Sequence, residues 1–215
     1  MPDAAMILER FVVPPLDDNV YLVVDEVSRE AVVVDTALGS SQLLSKAREL
    51  GAAVKYVLNT HGHADHTAEN EAVKAATGAK LAIFEAEVPR LLRNATNTPW
   101  YLSSPPSPSK PDLLLREGSE IKIGTTVLRT LHTPGHTEGS ASFHVVKEGV
   151  LFSGDSLMRG TCGRTDVSGG SPARMVSSLQ RLATLPPATR VLPGHGPVTT
   201  VGDESWIADL AYPIV

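Results

Sequence analysis

His61-Gly62-His63-Ala64-Asp65-His66 follows directly on the short run Val57-Leu58-Asn59-Thr60. Such a run reads as a buried strand that ends where the polar residues begin. Strand side chains alternate, so His61, His63 and Asp65 share one direction if the chain stays extended through Gly62 and Ala64. His66 then faces elsewhere, unless the chain turns into the helix that Thr67 to Thr77 suggests. Two sets of donors result, one mostly imidazole and one carboxylate plus imidazole. Imidazoles and carboxylates are the groups that zinc, iron and manganese accept most readily. A polar loop whose histidines merely cap a helix is the competing reading. Three histidines and an aspartate within six residues speak against it.

Three further places share one construction: a short apolar strand, a glycine or proline, then a candidate metal ligand. Leu128 to Leu131 runs into Thr133-Pro134-Gly135-His136, Val150 to Ser153 into Gly154-Asp155, and Val191-Leu192 into Pro193-Gly194-His195. Strand ends hold functional groups on a rigid base, and glycine lets backbone crowd a centre. His132 and His144 sit within strand-like runs instead and read as ordinary satisfied or surface histidines.

The remaining chain supplies the frame. Met6 to Val13 reads as a strand broken by Pro14-Pro15, and Asn19 to Asp25 as a second. Ala31 to Asp35 is a continuous run suited to a strand buried on both faces, reached by a turn over Glu26 to Glu30. Leu43, Leu44, Ala47 and Leu50 recur at helical spacing, with Gly51 closing the helix. Strands are expected at Val54–Asn59, Lys80–Phe84, Glu120–Ile123, Thr126–Leu131, Ala141–Val146, Val150–Phe152 and Arg190–Leu192. Helices are expected at Thr67–Thr77, Val88–Asn94 and Ala173–Ala183. Strands with interleaved helices in both halves point to a four-layer αββα sandwich, two mixed β-sheets flanked by helices, over a single domain of residues 1–215. Thr96 to Pro111 is long for a connection and carries Trp100 and Tyr101, which makes it a candidate wall of a substrate pocket. The packing of Trp206 to Tyr212, on the domain or on a second chain, is left open, as is the oligomeric state.

The totals set limits. A 215-residue chain with 42% hydrophobic and 20% charged residues is long and apolar enough to bury a core. A formal charge of -5 gives no general basic surface for a nucleic acid. Cys162 is the only cysteine, so no intrachain disulfide forms. Met1 to Phe11 lacks the apolar stretch of a signal peptide, and no run approaches the ~20 apolar residues of a membrane span. A cytoplasmic protein acting on a small molecule is expected, without nucleic acid or membrane.

His61-x-His63-x-Asp65-His66, followed by His136, Asp155 and His195, resembles the metal site of the metallo-β-lactamase fold superfamily. The resemblance implies that His61, His63 and His136 bind one metal, that Asp65, His66 and His195 bind a second, and that Asp155 bridges both. Two divalent ions are implied, zinc first, with manganese or iron as the other metals the set accepts. Antibiotic-hydrolysing members commonly carry cysteine where this chain has Asp155. The aspartate, with the tail Pro193 to Gly202, is instead similar to short glyoxalase II-like hydrolases (hydroxyacylglutathione hydrolases). Longer members have a C-terminal helical extension that contacts glutathione, a route not expected for a sequence running to Val215. The implied activity is a thioesterase or esterase, extending to lactones or β-lactams, with Asp65 doubling as ligand and proton acceptor. Gly160-Thr161-Cys162-Gly163-Arg164-Thr165-Asp166 also resembles a loop of persulfide dioxygenases, which hold one iron on the positions of His61, His136 and Asp155. Cys162 and Arg164 are therefore candidate substrate residues beside Trp100 and Tyr101. Cys162 as a small buried apolar residue, and Arg164 paired structurally with Asp166, are the plainer readings. A metal-binding module without catalysis is the third alternative, and it has no chemical need of all seven donors.

Overall fold

The computed structural model describes residues 6–96, 98–103 and 105–210. Its first six strands, β1 (Met6–Val13), β2 (Asp18–Asp25), β3 (Glu30–Val34), β4 (Ala53–Asn59), β5 (Lys80–Phe84) and β6 (Leu113–Leu115), form one sheet in sequential order. The β1–β2 and β2–β3 pairs are antiparallel, and β3 through β6 are mutually parallel. The second sheet runs β12 (Thr199–Thr200), β11 (Arg190–Pro193), β10 (Val150–Gly154), β9 (Ala141–Val145), β8 (Thr126–His132), β7 (Glu120–Ile123). Only β10 and β11 pair in parallel there. The helices are α1 (Ser40–Glu49), α2 (Ala64–Thr67), α3 (Asn70–Thr77), α4 (Val88–Asn94) and α5 (Pro172–Leu182).

Strand alternation distributes the apolar residues among three buried layers. Tyr21, Val23, Val32 and Val34 face Leu128, Phe143, Phe152 and Leu192 between the sheets. Their sequence neighbours Leu22, Val24, Ala31 and Val33 face outward, onto Leu43 and Ala47 of α1, Val73 of α3 and Leu91 of α4. On the far side, Leu131, Leu151 and Val191 pack against Met175, Leu179 and Leu182 of α5. The uninterrupted run of β3 is therefore buried on both faces, and the four layers are helix, sheet, sheet, helix. Trp206 and Leu210 pack on the α5 side of the same layer, so the C-terminal segment docks on the fold as far as Leu210. Ala211 and Tyr212 lie outside the described residues.

Two local features depart from the sequence expectation. The helix expected from Thr67 to Thr77 is two helices, α2 and α3, interrupted at Ala68-Glu69. The backbone N–H groups of Thr36 and Ala37 donate to the His66 carbonyl at 2.9 and 3.4 Å, occupying the acceptor that a continuous helix would offer to Asn70. The three-residue strand β6 is too short for a periodicity to reveal, and its pairing with β5 defines it. No described helix is long and apolar enough to cross a membrane.

Away from the histidines, Asp25 ties the two sheets together. Its Oδ1 accepts from Ser28 N–H and Ser28 Oγ, and its Oδ2 from Thr125 N–H and Thr125 Oγ1, at 2.8 to 3.0 Å. Burial raises the carboxyl's pKa, but these donors outweigh it and hold the group well below the usual carboxylate range. A carboxylate whose folded pKa is depressed stabilises the fold above its unfolded pKa of about 4, and the benefit fades as pH falls through the folded value. Asp25→Ala is therefore expected to lower unfolding stability by about 1–3 kcal/mol at neutral pH. The gap between wild type and variant should narrow in acid, which urea titrations at several pH values would measure.

Candidate metal centre

The seven candidate ligands meet where strands of both sheets end. The chain is still extended at His63 (φ -69°, ψ 150°), and α2 begins at the next residue. His61 and His63 thus share a direction, as alternation predicts, and His136 joins them from the loop after β8. His63 Nδ1 lies 3.0 Å from His61 Nε2 and 2.9 Å from His136 Nε2. Asp65 does not continue the alternation. The first turn of α2 carries it with His66 to the other side of the centre. There Asp65 Oδ2 stands 3.8 Å from His66 Nε2 and 3.7 Å from His195 Nε2, and the two Nε2 atoms are 3.2 Å apart. Asp155, just past β10, faces both groups. Its Oδ1 is 3.5 Å from His66 Nε2, and its Oδ2 is 3.5 Å from His136 Nε2 and 3.7 Å from His195 Nε2.

Hydrogen bonds behind the centre fix which nitrogen of each ring faces in. His66 donates from Nδ1 to Asp35 Oδ2 at 2.9 Å. His136 donates from Nδ1 to the Arg164 carbonyl at 2.7 Å, and His195 from Nδ1 to the Leu16 carbonyl at 3.1 Å. Thr60 Oγ1 gives its proton to Asp35 Oδ2 at 2.7 Å and so accepts from His61 Nδ1 at 3.1 Å. Four imidazoles consequently turn Nε2 inward, the atom each would offer to a cation. His63 lies with Nε2 3.3 Å from Arg90 Nη1, and its single ring proton serves at most one of the two lone pairs facing Nδ1.

The titration tendencies agree with a site for positive charge. Burial, then the neighbouring imidazoles, hold His61 well below its ordinary pKa, and burial with His136 pushes His63 down to about 3. His66 goes the other way, since Asp155, Asp65 and Asp35 overcome its burial. Burial pushes Asp155 up, but His66, His195, His136 and His63 bring it below the usual carboxylate range. Asp155 Oδ1 is buried and accepts no hydrogen bond. Converging nitrogen lone pairs with an unpartnered carboxylate oxygen suit a transition-metal cation, and the donor atoms of each group lie within 4.8 Å of one another.

The other candidate residues stand around this core. Tyr101 O–H donates to Asp65 Oδ1 at 3.4 Å, and Tyr101 lines a pocket of about 340 Å³ with His63, Arg90 and Arg93. Trp100 is 83% exposed and packs edge-on against the Tyr101 ring. Arg164 points to solvent in a two-bond pair with Asp166 at 2.7 and 2.8 Å, while its carbonyl holds His136. Cys162 packs on the α5 side and borders, with Arg164, a second pocket of about 540 Å³. Burial raises its thiol pKa. His132 stacks on Phe84 and His144 lies buried in β9, both outside the donor groups.

Three polar residues at the centre escaped the sequence reading. Asp35 and Thr60 appeared there only as the polar ends of apolar strands. Asp18, at the start of β2, was not singled out at all, yet it belongs to the Asp65, His66 and His195 group. An acidic residue at the end of a largely apolar strand was the available signal for both aspartates.

The sequence and the fold are similar to those of known proteins. The chain is 37% identical over 191 residues to a hydroxyacylglutathione hydrolase of Cereibacter sphaeroides, covering 88% of this chain and 67% of that one. Among solved structures it is similar to the BLEG-1 B3 metallo-beta-lactamase, with a TM-score of 0.84, 31% identity and coverage of 93% of this chain and 96% of the other. It is also similar to ETHE1 from Myxococcus xanthus, with a TM-score of 0.76, 30% identity and coverage of 93% and 81%. The sequence profile of the metallo-beta-lactamase superfamily matches residues 13–195, from the end of β1 to the last donor histidine, and the chain belongs to that superfamily.

Proposed function

We propose that the protein is a metal-dependent hydrolase of thioesters or esters, working through a centre of two divalent ions. The observation that carries this is Asp155, one buried carboxylate facing both donor groups. His61, His63 and His136 would hold one ion, Asp65, His66 and His195 the other, and Asp155 both. Zinc is the first choice, with manganese or iron as the others. When bound, such ions lower the pKa of water from 15.7 toward ~7 and polarise a carbonyl oxygen.

The chain's own residues supply the rest. Asp35 keeps His66 in the tautomer that offers Nε2, and through Thr60 it does the same for His61. Asp65 faces the centre from the first turn of α2 and is the proposed proton acceptor; Tyr101, which lines the pocket beside His63, donates to it. That pocket, with two guanidinium groups on its wall, is the proposed seat of the substrate. Thioesters and esters suit it because a thiolate or alkoxide departs with little help from an acid. The likeness to a hydroxyacylglutathione hydrolase supports the thioester. The complete second donor group favours hydrolysis over the mononuclear iron dioxygenase, which needs only His61, His136 and Asp155.

Chelation is expected to abolish thioester hydrolysis, and zinc or manganese to restore it. Full activity in metal-free protein would reject the proposal. Purified protein holding one iron and consuming oxygen with glutathione persulfide would establish the dioxygenase in its place. Asp35→Asn is expected to cost about 10- to 100-fold in metal affinity or kcat/KM, read by metal analysis and steady-state kinetics. Tyr101→Ala should shift KM about 5- to 150-fold, the equivalent of the roughly 1–3 kcal/mol a pocket contact contributes, with metal content unchanged. Trp100→Ala should shift it less, and identical kinetics in both variants would remove the pocket from the scheme.

A further inference from the structure

Asp18 has no place in the seven-donor scheme, yet it is buried directly against it. It is 3% exposed, and its Oδ1 accepts no hydrogen bond while lying 3.6 Å from His195 Nε2. A carboxylate oxygen withdrawn from water without a donor is costly unless it faces a cation. The backbone around it is tightly held. Asp18 and His195 form an isolated antiparallel bridge, and Asn19 N–H donates to the Gly194 carbonyl at 2.7 Å. Asn19 Nδ2 donates to the Pro193 and Gly196 carbonyls at 2.8 and 2.9 Å, and Tyr21 O–H to Pro193 at 2.7 Å. The start of β2 is thereby locked to the loop that carries His195.

The geometry points to Asp18 as an eighth donor of the centre, a ligand to the ion held by Asp65, His66 and His195. One oxygen or nitrogen from each of these four residues lies within 4.8 Å of the others. Two donors at about 2.1 Å from one ion stand roughly 3.0–4.2 Å apart. Asp18 Oδ1 and His195 Nε2, at 3.6 Å, fall in that span. The group's outer limit of 4.8 Å exceeds it by at most about 0.6 Å, which a small side-chain rotation closes. With Asp155 the ion then has three carboxylates and two imidazoles, whereas the ion on His61, His63 and His136 has three imidazoles and one carboxylate. Oxygen-rich, five-donor surroundings suit manganese or ferrous iron better than zinc, and the nitrogen-rich set suits zinc. The two halves of the centre therefore select different metals. This inference rests on the dinuclear reading and adds the identity of its second ion.

The test uses the full chain loaded with defined mixtures of zinc and manganese. Wild type should take one zinc and one manganese, and anomalous diffraction at each metal's absorption edge should locate manganese at the Asp18 side. Asp18→Asn should weaken manganese binding at that site about 10- to 100-fold by isothermal titration, and the zinc at the three-histidine side should stay. Asp18→Glu should retain manganese. Two ions bound with unchanged manganese affinity in Asp18→Asn would overturn the eighth donor and leave the dinuclear centre standing. A wild-type chain that never takes a second ion would overturn both. Should the variants fail to fold, the metal-loaded wild-type crystal still decides: an Asp18 oxygen beyond about 3 Å from the ion refutes the inference.

Discussion

The bond from His66 to Asp35 is the contact on which the centre depends. Asp35 follows β3 with φ at 55°, a left-handed conformation that aspartate tolerates better than most residues. That turn aims its carboxylate across the end of the parallel strands rather than along them. One oxygen accepts from Thr60 N–H at 2.8 Å, and the other serves Thr60 Oγ1 and His66 Nδ1. A single buried carboxylate therefore orients one imidazole in each donor group. The His66 carbonyl is in turn held by Thr36, so ring and backbone of the same residue are fixed from one short segment. Without this hold both rings could rotate, and an inward lone pair would become an N–H that repels a cation.

The second sheet needs its own attachment, because His136, Asp155 and His195 arrive from strands that share no hydrogen-bonded ladder with β3 or β4. Apolar packing between the sheets sets their spacing but is non-directional and leaves fine alignment free. Asn19 and Tyr21 supply that alignment by bonding the carbonyls of Pro193, Gly194 and Gly196. Glu87 does similar service on the other side, accepting from Gly62 N–H at 2.7 Å and Gly139 N–H at 2.8 Å. The histidine loop is thus tied to the loop after His136 as well as to its own sheet.

Most of the layered fold was legible from the chain because its strands carry their own evidence. β2 and β3 are apolar on both faces, and α1 and α5 repeat at helical spacing. The seven candidate ligands could be picked out because five of them stand just past such a strand beside glycine, and Asp65 and His66 follow within the same short motif. Asp35 and Asp18 were not, since their meaning depends on partners 31 and 177 positions away that only the folded sheets bring near. Asp65 reached its group by a different route from the one alternation suggested. Extended geometry holds through His63, and the early start of α2, closed by His66 N–H and Thr67 O–H donating to the His63 carbonyl, then turns Asp65 aside.

The charges at the centre explain why so many hydrogen bonds are spent on holding it rigid. Asp18, Asp35, Asp65 and Asp155 place four carboxylates beside five imidazoles in a region largely closed to water. Like charges at this spacing repel strongly at low dielectric, and a mobile chain would move them apart into solvent. The clamps at Asn19, Tyr21 and Thr60 prevent that relaxation, so the repulsion persists as an attraction for cations. Two divalent ions would bring the four carboxylates close to neutrality. A centre so balanced has less surplus positive charge to acidify water than one with only Asp65 and Asp155. The same balance eases the release of an anionic group from the centre.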